Sequence, residues 1–226
     1  MERGKNKMPK EKEIKVVTRS YDAEFRVEEN EETGNTVVGR PIVYNQKTNL
    51  GWFEEIIERG ALDEANLKDV LFFVNHDTSK IPLARSRNNN KNSTMQLKVD
   101  DEGLEIKAKL DVENNTEAKN LYSAISRGDI TGMSFMFVID DEEWENLDSD
   151  LPLRHIKKIS IVREVSAVCF PAYEATSINA RDKVALDNAK KALESARASL
   201  ESDKNISNEI TLLKQKNQNL IDLYQN

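Results

Sequence analysis

Apolar residues between positions 14 and 169 recur mostly at every second position, in short runs separated by turn residues. The runs are "IKVVTRSYDAEFRV", "TVVGRPIVYN", "DVLFFVN", "TMQLKV", "GLEIKAKL", "MSFMFVID" and "IKKISIVREVSAVCF". They are rich in β-branched and aromatic side chains and predict strands. "LKVDDEGLEIKAKL" reads as a hairpin turning at Gly103, with Leu97, Val99, Leu104, Ile106, Ala108 and Leu110 on one face. The period changes in "NNTEAKNLYSAISRG", where Ala118, Leu121, Tyr122 and Ile125 make a helical face. Asn114 and Glu117 suggest a capping box there, and Gly128 a stop. "ALDEANLK", after Gly60, suggests a second short helix.

From residue 182 on, the pattern is helical to the end. Leu186, Ala189, Leu193, Ala196 and Leu200 form one series, and Ile206, Ile210, Leu213, Asn217, Leu220 and Tyr224 another, out of phase with the first across "SDKN". Two helical segments, or a coiled coil with a stutter, are expected, with Asn217 setting register or partner number. All eight glycines lie at or before Gly132 and all five prolines at or before Pro171, so punctuation ends where the tail begins. The expected organisation is a charged arm (1–13), a mainly β unit with helices (14–181) and a helical or coiled-coil tail (182–226). Many short strands with two or three helices suggest a closed or nearly closed β-barrel decorated by helices.

Composition narrows the function. A net charge of −7 argues against a nucleic-acid binder, which needs a basic face. A single cysteine, Cys169, excludes an internal disulfide framework and fits a reducing compartment. No run has the length of a membrane span, and the first residues lack the apolar stretch of a signal peptide, so a soluble protein is expected. His76 and His155 are the only histidines and neither sits in a metal-ligand spacing; glycine-rich phosphate loops are missing as well. Neither metal nor cofactor is expected.

Ser134, inside the apolar run "GMSFMF", is either a satisfied core residue or a nucleophile. As a nucleophile it needs a base, and the choice is His76 or His155. His76 ends an apolar strand where the chain turns polar, a suitable place for a ring that must reach a cleft. Asp77, its neighbour, would point to the opposite side in extended chain. Glu164, in "SIVREVSAV", is costly if buried without a partner and is explained by an imidazole partner, or else by an exposed strand face. Cys169, in an apolar strand, is expected to be an inert buried thiol, and the acids of Asp140–Asp150 a solvated loop.

The ordered set "VVGRPIVYNQKTNLGWFEEIIERGAL", "LFFVNHDTSKIPLAR", "MQLKVDDEGLEIKAKL", "LYSAISRGDITGMSFMF" and "REVSAVCFPAYEATS" resembles the tailed-bacteriophage prohead protease family, the capsid-maturation serine proteases that share a fold with herpesvirus assemblins. The resemblance covers about residues 20–180. It implies an assemblin-like fold and a serine endopeptidase, with His76 of the NHD motif as general base and Ser134 of the GMSF motif as nucleophile. Glu164 of the EVS motif becomes the orienting acid, with His155 as the alternative third member. Backbone N–H groups are the expected oxyanion donors, with Arg85 or Arg154 as further candidates. The implied partners are phage major capsid protein, scaffold protein and a second copy of the chain, in a homodimer or larger self-association. The implied location is the inside of assembling proheads in the host cytoplasm. Two departures, Met136 two residues after the serine and Ala84 in the P-L-x-R turn, keep open an alternative: an inactive protease-like scaffold acting through its tail.

Overall fold

The computed structural model describes residues 15–22, 24–30, 34–169 and 180–224; the charged arm and the F-P-A-Y end of the matched pattern lie outside them. The order is β1 (Lys15–Asp22), β2 (Phe25–Asn30), β3 (Gly34–Val43), β4 (Thr48–Asn49), β5 (Glu54–Ile57), β6 (Asp69–Val74), β7 (Ala84–Arg87), β8 (Met95–Asp100), β9 (Gly103–Lys109), α1 (Thr116–Ser126), β10 (Gly132–Glu145), β11 (Leu153–Val168) and α2 (Ala180–Tyr224). This is mainly β with helix, as the alternating runs predict.

The strands form two sheets. The larger is ordered β1-β10-β11-β5-β4, with β6 also on β11 and β7 on β6; the smaller is β2-β3-β9-β8. The long β11 makes the branch possible: its first half pairs in parallel with β5 and its second half in parallel with β6. The run "IKVVTRSYDAEFRV" therefore splits, β1 joining one sheet and β2 the other.

The closed or nearly closed barrel expected from the strand count is not what the sheets form. Between β7 and β8, where closure would need a ladder, side chains substitute for the missing strand partners. The backbone N–H of Arg85 donates to Thr94 Oγ1 (2.9 Å), that of Arg87 to Ser93 Oγ (2.9 Å) and that of Leu97 to Asn89 Oδ1 (2.8 Å). Hydroxyl and amide side chains satisfy these groups and end the pairing.

The core lies between the sheets, where Val37, Ile42, Leu104, Ile106 and Ala108 of the smaller meet Met133, Phe135, Phe137, Ile159 and Val165 of the larger. At Gly39 a Cβ would stand 2.3 Å from Met133 Sδ, so this position must stay bare for the sheets to approach. The β8–β9 hairpin turns at Gly103, whose φ of +141° and proximity to the Ile42 carbonyl leave no room for a side chain.

Four local expectations are resolved. Helix α1 is capped by Asn115 rather than Asn114, its side chain accepting from the N–H groups of Glu117 and Ala118. The stretch after Gly60 forms turns instead of a helix. The acidic run is largely strand: β10 extends to Glu145, and Glu143 pairs with Lys157 and Glu142 with Arg154 of β11 as diagonal ion pairs. Cross-strand cations turn an apparent loop into a hairpin arm. The tail is a single helix through "SDKN".

Candidate active site

Three elements meet at one rung. Ser134 of β10 pairs with Ser166 of β11, and Met136 with Glu164. Since i and i+2 share a strand face, Ser134, Glu164 and Ser166 look the same way. Beside them β6 runs parallel to β11, ending in the pairs Phe73–Ser166 and Val74–Ala167. The Asn75 N–H then donates to the Ala167 carbonyl (2.9 Å), and the chain reverses.

Asn75 and His76 both have left-handed backbone, with φ of 50° and 57°. Asparagine enters this region more easily than most residues, and here its Oδ1 also accepts from the Cys169 N–H (3.3 Å). His76 thus sits in a held turn beyond the strand rather than at the strand end expected. Its reversal lays the ring over the Ser134–Ser166 rung.

The imidazole bridges two side chains. Its Nε2 is 2.5 Å from Ser134 Oγ, and its Nδ1 is hydrogen-bonded to Glu164 Oε1. Ser166 Oγ donates to the other carboxylate oxygen, Oε2 (2.7 Å), and accepts from the His76 backbone N–H (3.2 Å). Glu164 is 2% exposed, so the exposed-face explanation for it does not hold; its charge is met by hydrogen bonds instead. Ser134 is fully buried, while the His76 side chain is 15% exposed.

The carboxylate at Nδ1 favours the Nδ1–H tautomer and turns the Nε2 lone pair towards the serine. The hydroxyl has a second acceptor, the Arg19 carbonyl of β1 at 2.7 Å. One proton serves one acceptor at a time. Given to Nε2 it prepares proton transfer; given to Arg19 O it requires an N–H at Nε2, hence an imidazolium while Glu164 is ionised.

Arg19 is itself anchored. Its guanidinium donates to Glu55 through Nε (2.5 Å) and Nη2 (2.7 Å); Arg154 Nη1 also donates to Glu55 (3.1 Å), and Arg154 Nε to Glu142 (2.9 Å). Arg19, Glu55 and Arg154 are all buried. Burial pushes the Glu55 carboxyl up, but the Arg19 and Arg154 guanidiniums outweigh it and hold it below the usual carboxylate range.

Several expected participants lie elsewhere. His155 bonds to Glu58 (2.9 Å) and sits nine residues before Glu164 on the same strand, roughly 30 Å away at strand rise. Arg85 pairs with exposed Asp69, and Arg154 is committed to its buried carboxylates. Cys169 is exposed, just past the end of β11, not buried in it. Ala84 is an ordinary strand residue opposite Phe72, so no glycine conformation is needed there. Met136 lies across from Glu164 and leaves the His76 contacts intact. Ser166 and the Arg19 carbonyl were not singled out by the sequence; the E-V-S alternation, which places 164 and 166 on one face, is the signal that would have found Ser166. Among the described residues no group of three His, Cys, Asp or Glu side chains could hold a metal ion.

Comparison with known proteins gives the chain a family. The caudovirus prohead serine protease family model matches residues 22–192, and the chain belongs to that family. It is 28% identical over 149 residues to the prohead protease of Enterobacteria phage HK97, covering 65% of this chain and 60% of that protein's length. A solved structure, the capsid assembly protease of bacteriophage T4, aligns over 70% of this chain and 99% of its own at 10% identity, with a TM-score of 0.40.

Proposed function

We propose that this chain is a serine endopeptidase of phage prohead maturation. Ser134 is the nucleophile, His76 the general base and Glu164 the acid that orients the ring; Ser166 positions Glu164. Residues 14–181 are the catalytic unit, with an assemblin-like fold, and 182–226 an appended helix. The observation that carries the reading is the His76 ring, with one nitrogen 2.5 Å from a serine hydroxyl and the other on a buried carboxylate. These groups come from three distant parts of the chain.

The neutral imidazole takes the Ser134 proton as Oγ attacks the scissile carbonyl, and Glu164 stabilises the imidazolium that forms. That proton passes to the leaving amine, giving an acyl-enzyme, and water activated by the same nitrogen releases the acid. Access to Ser134 requires local movement of β1 or of the Asn75–His76 turn, because the residue is fully covered in the resting arrangement.

The substrates in this reading are scaffold protein, the N-terminal segment of the major capsid protein and the chain itself, cut inside the assembling shell in the host cell. The enzyme works there as a homodimer or larger self-assembly. Mass spectrometry of shells from wild-type and Ser134→Ala infections tests it: cleaved termini are expected in the first and uncut proteins in the second. Identical termini in both would remove Ser134 from the reaction.

A further inference from the structure

Helix α2 has two halves with different surroundings. In the first, Leu193 is buried against Phe53, with Leu50, Trp144 and Leu147 around them. Arg197 donates through Nε to the Leu147 carbonyl (2.9 Å) and through Nη2 to that of Ser149 (2.8 Å), and Lys204 pairs with Asp148 (3.1 Å). Leu193, Arg197 and Lys204 are thus held by the body of their own chain. Beyond Lys204 the helix continues for roughly 30 Å. Every residue from Glu201 to Asn219 is exposed, including Ile206, Ile210, Leu212 and Leu213, each about half accessible. A solitary helix of this length, with few strong helix formers, is marginal in water.

The sequence of this half is ordered. Ile206, Ile210, Leu213, Asn217, Leu220 and Tyr224 are spaced four, three, four, three and four apart. In a heptad the three-residue step runs from a to d, so Ile210, Asn217 and Tyr224 are a positions, and Ile206, Leu213 and Leu220 are d positions. Because the helix is continuous, the phase change at "SDKN" is a rotation: this stripe is centred roughly 100° round the axis from the Leu193–Ala196–Leu200 face. It therefore points away from the surface on which the first half rests. Leu212 falls at c, off the seam.

We infer that residues 206–224 form a parallel, in-register two-stranded coiled coil with a second copy of this chain. Three features choose this occupant. Isoleucine at a with leucine at d, as in Ile210 and Leu213, favours two strands. Asn217 at a meets its own copy only in a parallel, in-register pair, where the two amides hydrogen-bond; in an antiparallel pair it faces an apolar d residue and is buried unpartnered. Glu209 occupies g and Lys214 the following e, so each Glu209 lies beside Lys214 of the second copy, an attractive pairing that the parallel register creates. The inference rests on the self-association included in the proposed function but not on peptide hydrolysis, so its test is independent of catalysis.

The test uses the whole 226-residue chain with Ser134→Ala to prevent self-cleavage. Sedimentation equilibrium at high micromolar concentration should give a mass about twice the 25.8 kDa monomer. The double variant Ile210→Asp/Leu213→Asp should sediment as a monomer with unchanged thermal unfolding of the body, followed by tryptophan fluorescence. In a Cys169→Ser background, Asn217→Cys should form a disulfide-linked dimer under oxidised glutathione, as only a parallel, in-register seam allows. A monomeric wild type overturns the inference, including one that pairs only when phage scaffold or capsid protein is added. So does a dimer that survives the aspartate substitutions, or one that fails to cross-link at position 217.

Discussion

Ser166→Ala separates a positioning role from simple filling of the core. The hydroxyl donates to Glu164 Oε2 and accepts from the His76 backbone N–H, so one atom ties the acid to the turn that carries the base. Alanine removes a bond to a buried charged acceptor, worth about 1.5–3 kcal/mol, and a neutral one worth about 0.5–1.5 kcal/mol. Stability should fall by about 2–4 kcal/mol. Catalysis should suffer beyond that, because Glu164 then holds the imidazole with one fewer restraint. If the charge-assisted bond is fully expressed in the transition state, acylation slows roughly ten- to hundredfold. Ser166 acts through Glu164 and the His76 turn, both of which it holds by hydrogen bonds, so the loss should appear in kcat rather than KM. The assay is the rate at which a small fluorophosphonate labels Ser134, corrected for folded fraction, with Ser134→Ala as the blank. Ser166→Thr, which retains the hydroxyl, should recover much of the rate despite its extra methyl. Labelling of folded Ser166→Ala at the wild-type rate, or equal rates for alanine and threonine, would refute the positioning role.

Two further predictions concern the frame around the site. Glu55 is buried between Arg19 and Arg154 with its titration held below the ordinary carboxylate range. A depressed folded value means its contribution to stability is complete above the unfolded value near 4.5 and is lost as pH falls through the lower folded value. Urea midpoints measured from pH 6 downwards should therefore decline in acid for the wild type, and Glu55→Gln should flatten that part of the curve while lowering the neutral plateau by about 3–5 kcal/mol; an unchanged slope would exclude Glu55 as its source. Gly103→Ala would place a Cβ 1.9 Å from the Ile42 carbonyl at a φ of +141°. Relief requires backbone movement in the β3–β9 register, so a loss above about 3 kcal/mol in chemical unfolding is expected, and near-neutrality would contradict the close approach.

How far the sequence reveals this architecture depends on whether each signal is local. The strands were legible because alternation is written into adjacent residues, and His76, Ser134 and Glu164 stood out as a histidine, a serine and an acid in apolar surroundings. Contacts that depend on a partner far along the chain were hidden. Glu142 and Glu143 look like part of a solvated acidic loop until β11 brings Arg154 and Lys157 within ion-pair reach of them. β1 and β2 read as one extended run because nothing at Asp22–Phe25 announces a change of sheet. Ser166 looks like an ordinary small core residue, and its two hydrogen bonds appear only when the Asn75–His76 turn folds over it. The left-handed backbone of His76 has no signature beyond the asparagine before it.

Arg19 links these levels. Its side chain enters the buried charge cluster with Glu55 and Arg154, while its carbonyl accepts from the Ser134 hydroxyl. Backbone and side chain of one residue thus fix β1 against β10 at the rung where Ser134 sits, through the pairs Arg19–Phe135 and Ser20–Ser134. Displacing Arg19 to uncover the hydroxyl would strand a buried carboxylate, which is costly. The Asn75–His76 turn is tied as well, by the Asn75 N–H on the Ala167 carbonyl, the His76 N–H on Ser166 Oγ and the ring on the buried Glu164 carboxylate. Moving either element that covers Ser134 therefore takes a partner from a buried carboxylate, Arg19 from Glu55 for β1 and His76 from Glu164 for the turn.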